Sequence, residues 1–202
     1  MTTEKALDGK PHVRGSQLSA KVASAVAACA YACACGAIVT EPLAGGGTAL
    51  IVNGTAYTSD EKTALNGNTV SELWKTGTAT LVSEGIGSFT GVIRVKGGVF
   101  QVAAQAGLGT VAGATYVESG ATLEQTSNNG QFAEPVYLEG DGADGMGAYY
   151  ASDNAEKKTP GLKGPVTLTG DALLVGRRQW YFQSSNFNMG GHLLVLSNIN
   201  VE

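Results

Sequence analysis

Apolar residues in this chain gather into short runs separated by small and polar ones. From Thr48 onward the runs are Ala49–Val52, Thr80–Val82, Val92–Val95, Val99–Val102, Tyr116–Val117, Val136–Leu138, Val166–Leu168, Leu173–Val175 and Leu193–Leu196. No long stretch repeats with the helical period of ~3.6 residues. β-Branched and aromatic residues suit a pleated, half-buried surface, and Gly and Asn punctuate the turns between strands. The pattern predicts strands across 48–200 with almost no helix there.

The strand centres Val52, Leu73, Val95, Val117 and Leu138 are spaced by 21, 22, 22 and 21 residues. Hairpin meanders turn more often than this, roughly every 8–12 residues. A period near 22 fits one coil of a parallel β-helix. Each coil buries a stripe of Val, Leu and Ile against its neighbours, so several must stack. The fold expected is all-β, a right-handed parallel β-helix over 45–202, with roughly six or seven coils. Leu81, Val95, Leu123, Leu138 and Leu168 are expected to point inward. Asn53-Gly54, Asn66-Gly67, Gly97-Gly98, Asn129-Gly130 and Gly190-Gly191 supply the corners, where left-handed backbone is needed. Asn-Gly also suits two-residue hairpins, so turns alone leave the hairpin reading open. Gly140–Gly164 is longer, polar and rich in Gly, Asp and Lys, and reads as a loop thrown out from the stack.

Residues 1–44 read as a leader. Residues 1–21 carry Lys5, Lys10, Arg14 and Lys21, and residues 22–39 carry no charge. A basic start, an apolar run and small residues after it make an export signal, helical over about 20–38. The run is Ala-rich and only weakly apolar, which favours a cleavable signal over a membrane span. Small residues suit a cut after Gly36 or Ala37. Val26–Cys29 also resembles a lipoprotein box, although the apolar run continues past it.

Composition narrows the function classes. The chain has 29 Gly among 202 residues, 15% charged residues and a net charge of −4. Its only Lys/Arg pairs in the body are Lys157-Lys158 and Arg177-Arg178, so nothing favours a nucleic-acid partner. Cys29, Cys33 and Cys35 are the only cysteines, and the body must hold together without disulfides or thiolate metal sites.

Four groups of residues bear on chemistry. Gly140–Gly145 places Asp141 and Asp144 in a Gly-rich turn that could take calcium, but calcium rolls need such turns in tandem. Arg177, Arg178, Trp180, Tyr181, Phe182 and Phe187 fit either a sugar-binding platform or a packing ladder. Asp141, Asp144, Asp153, Lys157, Lys158 and Arg177 are the acids and bases a β-helix lyase or hydrolase would need on one face of successive coils. His12 and His192 are the only histidines, and His12 lies in the leader. No catalytic, cofactor-binding or metal-binding residue is assigned, and no cofactor is expected.

The stretch Leu73–Phe100 resembles the autotransporter-associated β-strand repeat. The matching residues include Leu73, Lys75, Thr76, Gly77, Thr80, Leu81, Ser83, Phe89, Thr90, Gly91, Val95, Gly98 and Val99. Ala79 and Glu84 stand where that repeat usually has Gly. Gly107–Val111 with Ser119–Leu123, Glu134–Ala148 and Gly164–Ala172 are similar to later coils of such proteins, so the likeness covers about 69–197. It implies a secreted or cell-surface β-helix passenger of the bacterial envelope, exported by a signal peptide and often followed by an outer-membrane barrel. No barrel follows here, and the stop at Glu202 just after a strand reads as a fragment or truncated gene. The expected function is a non-catalytic adhesin or display scaffold. Its expected partners are glycans or proteins, with self-association through open coil ends and membrane contact only through the leader or a barrel. The alternative is a carbohydrate-active β-helix enzyme.

Overall fold

A computed structural model of the chain describes residues 38–126, 131–152, 160–177, 181–184 and 186–199. The described residues form an all-β solenoid of about six turns with little helix. One face, A, stacks β2 (Thr48–Val52), β3 (Glu72–Lys75), β5 (Val92–Val95), β7 (Ala114–Val117) and β10 (Val136–Gly140) in parallel. A second face, B, stacks β4 (Thr80–Ser83), β6 (Gly98–Val102), β8 (Ala121–Gln125) and β11 (Tyr149–Ala151). The long strand β13 (Val166–Arg177) continues both faces, pairing with β10 by its first half and with β11 by its second. β15 (Phe187–Asn188) and β16 (Leu194–Ile199) extend the two faces beyond it. The third side is closed by a 3₁₀ turn at Gln105–Leu108 and by the parallel strands β9 (Gln131–Phe132), β12 (Gly161–Leu162) and β14 (Tyr181–Phe182).

Alternation along each strand decides which side chains enter the core. Residues in register in successive parallel strands then form inward rows. Face B contributes the row Leu81, Phe100, Leu123, Tyr149 and Leu174, all fully buried. Face A contributes Leu50, Leu73, Ile93, Thr115, Val136 and Val166, also buried. Leu81, Val95, Leu123, Leu138 and Leu168 are all inside, as expected.

The expected period is corrected at one point. Val52, Val95 and Val117 share a row, but their partner in the second coil is Lys75, and Leu73 belongs to the neighbouring row. The true spacings along this row are 23, 20, 22, 21 and 30 residues, from Val52 to Leu168. A lysine is tolerated in this buried row because its head is fully coordinated. Lys75 Nζ donates to the carbonyls of Thr76 at 2.9 Å, Gly77 at 3.0 Å and Gly97 at 2.8 Å. Burial lowers its pKa. Gly98 makes this corner: its φ is +63°, and a Cβ there would lie 2.6 Å from the Gly77 carbonyl oxygen.

The first turn departs from the strand pattern. Ser59–Asn66 forms one α-helix, α1, which the apolar pattern did not predict. Thr58 and Glu61 cap it reciprocally: Thr58 Oγ1 accepts from Glu61 N at 3.2 Å and Glu61 Oε2 accepts from Thr58 N at 2.7 Å. Ala64 and Leu65 are its buried residues. Asn66 and Asn68 then clamp α1 to the next coil, bonding Gly85 and Ser88, and Ser88 and Thr90, respectively. β1 (Val39–Pro42) pairs antiparallel with β2, the only antiparallel pairing among the described residues. The solenoid therefore includes residues upstream of 45.

Gly140–Gly164 is not a single loop: β11 and β12 lie within it. The true excursion among the described residues is 141–147. The helix expected over 20–38 lies outside the described residues apart from Ile38, as do the three cysteines. No helix among the described residues is long and apolar enough to cross a membrane.

Candidate functional site

Outward rows are built by the same register as inward ones. On face A, Trp74, Arg94, Tyr116 and Tyr137 fall in one outward row. The rings of Tyr116 and Tyr137 stack with centroids 4.2 Å apart and planes 4° from parallel. Arg94 Cζ lies 4.6 Å from the centre of the Tyr116 ring. Lys96 Nζ lies 3.3 Å from the Trp74 ring centre. Glu72 Oε2 accepts from Arg94 Nε at 3.0 Å and from Trp74 Nε1 at 2.5 Å. Partial burial would raise the Glu72 pKa, but the bonds from Trp74 and Arg94 and the charges of Arg94 and Lys96 outweigh it and hold the carboxyl low. The π faces and charges of this row largely satisfy one another. It staples four coils together.

Face B carries a cleft. Its outward row runs Val82, Gln101, Glu124, Tyr150 and Val175. Tyr150 and Val175 point outward yet are buried, because the loop 141–147 folds back over this face. Thr122 pins that loop: its Oγ1 accepts from Ala143 N at 2.8 Å and donates to Gly147 O at 2.8 Å. Gly147 N donates to Asp141 O at 2.7 Å and closes the loop base. Asp144 adopts left-handed backbone, φ +50°, uncommon for a residue other than Gly.

Between the loop and the face lies a cavity of about 570 Å³, lined by Glu124, Asp144, Met146, Tyr150, Ser152 and Arg177 among others. Glu124 is held by Gln101 Nε2 at 2.9 Å and by Ser152 Oγ at 2.5 Å. Arg177 Nε is buried and has no hydrogen-bond partner. Two carboxyls, a phenol and a guanidinium from three successive coils and one loop thus share one polar opening.

A second cavity, about 310 Å³, is lined by Leu108, Val111, Phe132 and Glu134 among others. Glu134 is buried and accepts from Thr115 Oγ1. Burial pushes its pKa up to about 8, against a smaller downward pull from Thr115.

The residues singled out in the sequence are dispersed. Arg177 joins Asp144 in the face B cleft. Asp141 is exposed, and among the described residues no group of three or more His, Cys, Asp or Glu side chains is gathered. Phe182 and Phe187 meet edge to face, 4.9 Å apart and 87° inclined, and pack against the core, so they do not form an open platform. His192 faces Asp171 at 3.8 Å, and Asp171 also accepts from Leu193 N at 2.9 Å. His12, Asp153, Lys157, Lys158, Arg178 and Trp180 lie outside the described residues.

Sequence reasoning missed the face A row, whose spacings of 20, 22 and 21 residues were there to be read. It also missed Glu124, Tyr150 and Ser152, which matter only once the loop folds back, and Glu134, whose chemistry comes from burial. Compared with protein-family models, curated proteins and solved structures, the chain has no match.

Proposed function

We propose that this chain is a non-catalytic scaffold of the autotransporter-passenger type, exported to the bacterial cell surface and used in adhesion or display. The observation that carries the reading is the way the coil uses its polar side chains. Lys75, Ser83 and Gln125 are buried and bound to backbone groups, and the face A row is bound to itself. These groups lock coil to coil and build a rigid, right-handed rod, the hand that parallel crossovers overwhelmingly take. A cut after Gly36 or Ala37 would leave β1 and everything after it intact. Glycans and proteins are the partners that fit, whereas a net charge of −4 gives a phosphate backbone no attraction. The exposed apolar residues Leu193, Val195 and Leu196 on and beside β16 favour self-association at that end.

The test is export. The full gene is expressed in a Gram-negative host, the protein is localised and its N-terminus sequenced. A surface or secreted product beginning at Ala37 or Ile38 is expected; a cytoplasmic product retaining residues 1–36 would refute the reading.

The second reading is a carbohydrate-active β-helix enzyme. It is favoured by one observation, the convergence of Glu124, Asp144 and Arg177 in the face B cleft. Product release from polysaccharides separates the two readings. Cleavage that disappears in Glu124→Gln would establish the enzyme; none is expected.

A further inference from the structure

We propose that the cleft on face B is a binding site for a neutral oligosaccharide, an assignment that rests on the adhesive-scaffold reading. The cleft is built before any ligand arrives. Thr122 and the Asp141–Gly147 bond fix the loop wall, and the parallel strands fix the floor. Its volume of about 570 Å³ lies inside the range of small-molecule sites, roughly 300–1,000 Å³.

Chemistry selects the ligand. Arg177 can only donate hydrogen bonds, and ionised Glu124 and Asp144 can only accept them. A sugar hydroxyl does both at once, so it can accept from Arg177 and donate to a carboxylate. Arg177 Nε is already buried without a partner. That nitrogen has no surface open to the cleft, so the contact to a ligand falls to the part of Arg177 that lines the opening. Met146, half-buried on the loop, adds apolar surface for the carbon face of a sugar ring. The charges oppose an acidic ligand: two carboxylates face one guanidinium, so a uronate would meet net repulsion. The face A row lacks this character because its ring faces and charges are already engaged.

The test uses the full chain with cellotriose, maltotriose, mannotriose and triacetylchitotriose as neutral probes and trigalacturonate as the acidic one. Binding is read by calorimetry and by saturation-transfer NMR. At least one neutral probe should bind with a Kd of about 1 mM or tighter, and trigalacturonate about tenfold more weakly or not at all. Glu124→Gln and Arg177→Gln should each weaken binding about tenfold, and Arg94→Gln on face A should leave it unchanged. If Arg177→Gln does not fold, Met146→Arg blocks the opening from the loop and should abolish binding.

Three results would overturn the assignment: no neutral probe bound at about 20 mM, binding indifferent to Glu124→Gln and Met146→Arg, or preference for trigalacturonate. Products in the same samples are analysed for cleavage. A bound sugar that is cut would remove the scaffold reading and keep the site. Absence of both binding and cutting would remove the site and keep the scaffold.

Discussion

Lys75 Nζ lies 2.8 Å from the carbonyl oxygen of Gly97, so a side chain of one coil closes the corner of the next. The row it occupies is otherwise apolar, with Val52 before it and Val95 after it. Lys75→Met keeps the length and removes every donor. Three backbone carbonyls lose a charged partner, although the cation no longer has to be desolvated. The net loss expected is about 1–3 kcal/mol. Urea denaturation of the two proteins measures it; equal midpoints would mean the cage contributes nothing.

Glu134 should make the fold sensitive to alkali. In the folded chain its proton stays until about pH 8, whereas the ordinary value is 4.5. The folded state therefore binds the extra proton, and stability from this group is full below pH 4.5. It declines as pH climbs from there and is gone above about pH 8. Glu134→Gln keeps an acceptor for Thr115 and has nothing to ionise. The variant should match the parent at pH 4 and exceed it at pH 9 by a few kcal/mol, at most ~5. Parallel pH–stability curves for the two proteins would contradict this.

Leu138 sits fully buried between Val117 and Leu168 in its row. Leu138→Ala should cost about 2–5 kcal/mol. Leu138→Asp places an unpaired charge there and should prevent folding. Far-UV circular dichroism and thermal melts decide; a Leu138→Asp protein that melts like the parent would show that the row is misassigned.

The stacked pair on face A should be coupled beyond its buried area. Tyr116→Ala, Tyr137→Ala and the double variant form a thermodynamic cycle. Its expected interaction energy is about 0.5–1.5 kcal/mol. Additive effects would show that the rings share a surface without stabilising it.

β16 predicts the behaviour in solution. Leu196 continues the inward row above Leu174 but is 57% exposed. Leu193 and Val195 are exposed beside it. The chain should sediment larger than its 20.6 kDa monomer at high concentration. Val195→Lys with Leu196→Lys should restore the monomer, since charges blunt an open edge. A parent that remains monomeric throughout would discount the edge.

Much of the fold was legible because alternation and short period survive in single residues. Val95, Leu123 and Leu168 stand out as apolar positions flanked by polar ones. Lys75 hid because a lysine is read as exposed, and only the three surrounding carbonyls make its burial tolerable. α1 hid because eight residues with two buried ones give no helical period; its signal was the Thr58–Glu61 capping box. The cleft was illegible for a different reason. Glu124 and Arg177, 53 residues apart, meet through the stacking of β8, β11 and β13, and Asp144 joins them only because an inserted loop folds back onto Thr122, a contact that no spacing encodes.

β1 and β16 differ in what they offer a neighbour. β1 is short and carries Glu41 and Pro42 on its strand, features that discourage further pairing. β16 is longer and has neither a charge nor a proline. Copies meeting through β16 would bury that edge on both sides at once, an isologous contact about a two-fold axis. The β16 edge of each copy would then be used up. Association through β16 is therefore expected to close at the dimer.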